Sequence, residues 1–163
     1  MDDFTLSLFQ ESGLDFRFIM DTDPNGIAII SEHGLIIRWN KRAEQLFGYT
    51  SDEAFGSSLI DLILKDHRTD LENALKSLQE QPVGKQDTYT SDMMARCKDD
   101  QIRAIDLSIS GNRTRSRWVG IAILCDITER KDAEAKIARL ATFPELNPNV
   151  CITIRITRVP ALV

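Results

Sequence analysis

The stretch Trp118–Ile127 is apolar on both sides of a two-residue period. Trp118, Gly120, Ala122 and Leu124 fall on one side, and Val119, Ile121, Ile123 and Cys125 on the other. A strand of that kind belongs in the middle of a sheet, and both of its faces are expected to be covered. The segment before it differs. Ile105, Leu107 and Ile109 alternate with Asp106, Ser108 and Ser110, the signature of a strand with one buried face. A more polar strand, Gln86–Lys98, precedes both. Asp99-Asp100-Gln101 makes the turn between the first two strands, and Gly111–Ser116 reads as a polar loop before the third.

The N-terminal half supplies the remaining elements. Residues 2–21 read as a helix interrupted near Gly13, with Leu6, Phe9, Phe16, Ile19 and Met20 as its apolar stripe, and Asp23-Pro24-Asn25-Gly26 ends it. Gly26–Ser31 and Leu35–Trp39 read as a hairpin around Glu32-His33-Gly34. Asn40 is placed to cap a helix that runs to Phe47, with Gly48 as its C′ residue. Thr50 and Glu53 have capping-box spacing, and Gly56 closes that short helix. A turn over Leu59–Leu64 and a longer helix over Lys65–Glu80 follow. Leu71, Leu75 and Leu78 lie on one face of the longer helix. The order predicts an α+β domain: one five-stranded antiparallel sheet with helices packed on one face.

After Ile127 a charged helix is expected. Asp126 and Glu129 have capping-box spacing, and Thr128 is an alternative cap. Ala133, Ile137 and Leu140 form a seam two heptads long, suited to pairing in a dimer with help from the N-terminal helix. A helix this short is marginal alone in water. Pro144 and Pro148 end it. Ile152, Ile154 and Ile156 alternate with polar residues in a last strand-like stretch, Cys151–Val159.

The 163 residues carry a net charge of -5, which disfavours nucleic acid as a partner. No apolar run approaches the roughly 20 residues that span a bilayer. The start, Met1-Asp2-Asp3, lacks the basic character of a signal peptide. These features point to the cytoplasm and away from membranes. Cys97, Cys125 and Cys151 lack metal-ligand spacing and read as reduced structural thiols. There is no Ser-His-Asp order, no phosphate-cradling glycine loop and no carboxylate pair suited to acid–base work, so the chain is not expected to be an enzyme.

Two segments carry a resemblance. Gly26–Ile30 with Ile37–Tyr49, including Asn40, Ala43, Phe47, Gly48 and Tyr49, followed by Glu53 and Gly56, resembles the first half of a PAS domain. Cys125-Asp126-Ile127-Thr128-Glu129-Arg130 is similar to that family's closing Asp-Ile-Thr junction into a signalling helix. The likeness runs over about residues 14 to 143. It implies a signal-transduction input domain that binds a small ligand or partner and relays the event through its C-terminal helix. A downstream kinase or other effector is implied. No phosphoacceptor or GGDEF-type motif is present in this sequence. On this reading residues 1–21 are a flanking helix and 22–127 the sensory domain. Residues 128–142 are the signalling helix, and 143–163 a linker or the start of a truncated next domain. The alternative of another class is a ligand-free module for dimerisation or protein interaction.

The candidate site residues follow. Leu59, Leu62, Ile63, Leu71, Leu75, Leu107, Ile109, Ile121 and Ile123 are the expected lining of a ligand pocket, against the plainer reading that they fill the core. Asp126, Ile127, Thr128 and Glu129 are the expected relay, because Asp126 and Thr128 can bond either to the helix start or to neighbouring strands. No cofactor is expected. Haem and flavin are the alternatives the resemblance brings. His67 is the only histidine in the long helix, but an ungapped alignment puts the family's haem-ligand position on Leu71. No cysteine sits in the flavin-adduct motif, although Trp39 and Trp118 could flank a non-covalent flavin. Cys97 and Cys125 as redox switches have a plainer reading as small hydrophobes.

Overall fold

The computed structural model describes residues 16–113 and 117–142. The expected strand Cys151–Val159 and most of the helix 2–21 lie outside the described residues. The chain divides into two compact units, one ending at Ile127 and one beginning at Thr128.

The first unit opens with α1 (Phe16–Thr22), then the hairpin β1 (Gly26–Ser31) and β2 (Ile36–Trp39). Three short helices follow, α2 (Lys41–Phe47), α3 (Ser51–Ala54) and α4 (Leu59–Leu62), and then α5 (Lys65–Gln79). The strands β3 (Thr88–Arg96), β4 (Ile102–Arg113) and β5 (Trp118–Asp126) complete one sheet. Its order is β2-β1-β5-β4-β3, antiparallel throughout, and β5 is central as expected.

Local chemistry explains the helix ends. Asn40 caps α2 by accepting from the Ala43 N–H, and Gly48 takes the left-handed conformation that closes it, at φ +78°. Thr50 and Glu53 form the reciprocal capping box of α3. Asn40 does more than cap. Its Oδ1 also accepts from the Ile27 N–H, and its Nδ2 donates to the carbonyls of Met20 and Asn25 at 2.7 and 3.0 Å. One buried amide therefore ties α1, the approach to β1 and the start of α2 together, with every polar group satisfied.

β4 is longer than its polar C-terminal residues suggest. Gly111, Asn112 and Arg113 pair with Gly120, Val119 and Trp118 instead of forming a loop. The reason lies on the helix-covered face, where the Trp118 indole rests on the facing pair Gly111 and Gly120. A Cβ on Gly111 would meet the ring at 2.7 Å, and one on Gly120 at 2.6 Å. The two glycines extend the ladder because only they leave room for the indole. Around it, Ile30, Phe47, Leu59, Leu71, Leu107 and Leu124 form one contiguous core.

The second unit contains α6 (Thr128–Thr142). Its two largest apolar side chains, Ile137 and Leu140, are exposed. Among the described residues no helix is long and apolar enough to cross a membrane.

Candidate functional site

The expected pocket lining divides between two faces. Leu59, Ile63, Leu71, Leu75, Leu107 and Ile109 are at most 4% exposed and interlock in the core, with Leu62 half-buried against them. Ile121 and Ile123 do not join them. They point to the opposite face and are 47% and 40% exposed. Register decides this. Ile121 pairs with Ser110 and Ile29, and Ile123 with Ser108 and Ile27, so both share the face of the β4 serines. Trp118, Gly120, Ala122 and Leu124 face the helices instead. The expectation that both faces of β5 are covered is thus corrected: the outer face carries exposed isoleucines. The alternation of Ile105, Leu107 and Ile109 with serines held the missing signal, since the β4–β5 pairing fixes which set of β5 turns inward.

At the end of β5, Asp126 reaches the neighbouring strand. Asp126 is the last residue of the strand, opposite Ile105, and α6 begins only at Thr128. Its carboxylate accepts from Arg103 Nη1 at 2.8 Å. Arg103 is a β4 residue that the sequence did not single out. Both side chains are about two-thirds or more shielded, and the hydrogen bond to Asp126 raises the Arg103 pKa further above its ordinary value. Ile127 is buried, and its N–H donates to the Ala104 carbonyl at 2.9 Å. Glu129 lies in the first turn of α6, where a carboxylate complements the free N–H groups.

Cys97 sits beside Arg103. Its thiol is buried and reaches the Leu46 carbonyl at 3.4 Å. Burial pushes the thiol pKa up, and the Arg103 guanidinium only partly opposes this. Cys97 thus remains a neutral, core-facing thiol, in keeping with its plainer reading. At the cofactor candidates, His67 is half-buried in the first turn of α5, and Leu71, which has no donor atom, holds the fully buried position one turn later. Trp39 packs on Phe47 with ring centroids 5.4 Å apart, and its Nε1 donates to the Tyr49 carbonyl. Both tryptophans are core side chains. Among the described residues no group of three His, Cys, Asp or Glu side chains is arranged to hold a metal ion.

A family model for the PAS fold matches residues 14–125. The chain belongs to the PAS family. Solved structures agree on the fold. The PAS domain of an HTR-like protein from Haloarcula marismortui aligns with a TM-score of 0.59 at 17% identity, covering 77% of this chain and 100% of that one. A PAS domain from a two-component sensor histidine kinase gives 0.59 at 11% identity, over 75% of this chain and 98% of that one. An RNA-binding light-oxygen-voltage receptor gives 0.67 at 16% identity, over 84% of this chain and 38% of that one. At these identities the likeness is one of fold. The PAS module is of the sensory and signalling kind, and PAS domains are generally signalling modules and not enzymes.

Proposed function

We propose that this PAS domain is a cytoplasmic signal input whose output leaves through the Asp126–Thr128 junction into α6, with α6 pairing in a homodimer through Ala133, Ile137 and Leu140. The observation that carries this reading is the Arg103–Asp126 ion pair. It pins the last residue of the central strand to its neighbour, two residues before α6 begins. A shift between β4 and β5 would strain that pair and be felt at once by the first turn of the helix. The half-buried setting makes the pair sensitive to such a shift, because a charge that loses its partner there is poorly solvated. The exposed Ile137 and Leu140, on a helix too short to be stable alone, support pairing with a second copy. A downstream effector would receive the change in that pairing.

Two substitutions test the two halves of the reading. Asp126→Ala should leave the sheet folded by circular dichroism while amide exchange speeds up in β5 and in the first turn of α6. Global unfolding, or exchange unchanged in α6, would reject Asp126 as the relay. Ile137→Glu should shift sedimentation toward monomer at dilute concentration. An unchanged sedimentation coefficient would remove the dimer from the account.

A further inference from the structure

Residues 25 and 26 are Asn-Gly, the only such step in the 163 residues. In an open chain this step is chemically unstable. Glycine has no Cβ to shield its backbone nitrogen, which can attack the amide carbon of the asparagine before it. A bond forms between the Gly26 nitrogen and Asn25 Cγ, and the bond from Cγ to Nδ2 breaks. Ammonia leaves, carrying the hydrogen that the Gly26 nitrogen gives up. Water then opens the cyclic imide at either of its carbonyls. One product is an aspartate. The other is an isoaspartate, whose main chain runs through the former side-chain carbon.

The fold holds this step from three sides. Asn40 Nδ2 donates to the Asn25 carbonyl at 3.0 Å. The Asn25 N–H donates to Asp23 Oδ1 at 2.8 Å, an Asx turn. Gly26 is buried and pairs with Leu124 in the ladder, and a Cβ there would meet Ala43 and Leu124 at 3.3 Å. The attack needs rotation about the Asn25 Cα–C bond. A peptide unit is planar, so the hold on the Asn25 carbonyl also fixes the Gly26 nitrogen. Rotation would break the bond from Asn40 and pull Gly26 out of β1. Asn40 is itself 1% exposed and bonded at both ends of its amide, so it cannot follow.

We propose that Asn25 is a latent deamidation site, kept unreactive by Asn40 and exposed when the joint between α1 and β1 opens. The change is one-way. The joint already holds the carboxylates of Asp21 and Asp23, which accept from the N–H groups of Lys41 and Asn25. A new carboxylate at position 25 adds like charge beside them. The isoaspartate product also lengthens the main chain just before β1, which offsets Gly26 from Leu124 in a strand whose faces depend on register. A joint that has reacted does not close again in its first form. The modification therefore records how often this end of the domain has opened. It needs neither the relay through Asp126 nor a dimer, so it stands or falls apart from them.

The experiment incubates the full chain at pH 8, folded and in concentrated urea, and follows the tryptic peptide Phe18–Arg38 by mass spectrometry. Asn25 is the only amide side chain in that peptide, so a change of amide to acid is assigned without ambiguity. Deamidation of the folded wild type should be slower than in urea by at least about tenfold, because reaction waits on a local opening. Asn40→Ser keeps an oxygen to cap α2 but loses the Nδ2 donor, and should recover most of that difference while circular dichroism shows a folded domain. A second measurement needs no variant. The Ile27 and Ala43 N–H groups both donate to Asn40 Oδ1, so their amide exchange reports the same opening. On warming below the unfolding transition, deamidation and these two exchange rates should rise in step. The proposal is overturned by equal rates in the folded and urea-unfolded wild type, or by an unchanged rate in folded Asn40→Ser. Deamidation that ignores the exchange of Ile27 and Ala43 overturns it equally, whether or not that variant folds.

Discussion

The two faces of the sheet are built from similar residues and behave in opposite ways. On the helix-covered face, Ile105, Leu107, Ile109 and Leu124 are essentially inaccessible to water. On the other, Ile121 and Ile123 keep nearly half of their surface exposed, beside hydroxyl pairs such as Thr88–Ser110 at 2.8 Å and Thr90–Ser108 at 3.0 Å. An apolar side chain therefore says little about its role here until its register partner is known. Covered, it holds the domain together, each side chain contributing about 1.5–3 kcal/mol. Uncovered, it contributes little to the isolated fold and remains available for contact.

The contrast is broken most directly at its strongest point. Leu107→Ala removes a fully buried side chain from the middle of β4 and should cost about 2–5 kcal/mol, since the surrounding core closes only partly over the gap. Urea denaturation measures it. A loss under about 1 kcal/mol would mean that the covered face is loosely packed and that the two faces differ less than their exposures suggest.

The glycine floor of Trp118 gives the next test. Gly120→Ala puts a methyl 2.6 Å from the indole and 2.8 Å from the Ile30 side chain, so ring or strand must move. The expected loss is about 1–3 kcal/mol, the usual penalty for overpacking, accompanied by altered tryptophan fluorescence. A neutral result would show that the indole is free to shift and that the two glycines are not needed to seat it.

How far the sequence carried this picture depended on whether a feature was local or paired. Asn40, Gly48 and the Thr50–Glu53 box were legible because a cap is decided within four residues of chain. The central place of β5 was legible from its composition alone. The assignment of Ile121 and Ile123 to the pocket failed because a two-residue period defines two faces without saying which is covered. Register across β4–β5 decides that, and it depends on two glycines whose purpose is a tryptophan seven residues from one and two from the other. Arg103 stayed hidden for a related reason. Nothing in its own neighbourhood marks it, and its partner Asp126 lies across the sheet.

The cysteines compare the faces chemically. Cys97 is on the covered side, buried and with its pKa raised by desolvation, whereas Cys125 lies on the outer side and is half-exposed. Iodoacetamide at pH 8 should modify Cys125 faster than Cys97 by about tenfold or more, because it is the thiolate that reacts. The folded state holds the Cys97 proton more tightly than the unfolded chain does. Its contribution to stability is therefore complete below the ordinary thiol value of 9.0 and is lost as pH rises beyond it. Equal labelling rates, followed by peptide mass spectrometry, would show that the covered face opens on the timescale of the reaction.

The smallest effect is expected from Ile121→Thr, and its size carries information in either direction. Threonine keeps the β-branched shape that suits a strand and continues the hydroxyl character of Ser110, its partner in β4. For a side chain 47% exposed, the change in unfolding free energy should stay within about 0.5 kcal/mol. Measured at low protein concentration, such a result confirms that the isolated domain does not depend on its outer face. Repeating the measurement at high concentration separates two meanings of that independence. If the loss stays small, the isoleucines are simply tolerated on a solvated face. If it grows with concentration, the native protein buries them against another copy, and mass action then makes their contribution scale with the dimer formed. A loss above about 1 kcal/mol even at dilution would contradict the contrast itself, since the outer face would then be holding the fold together as the inner one does.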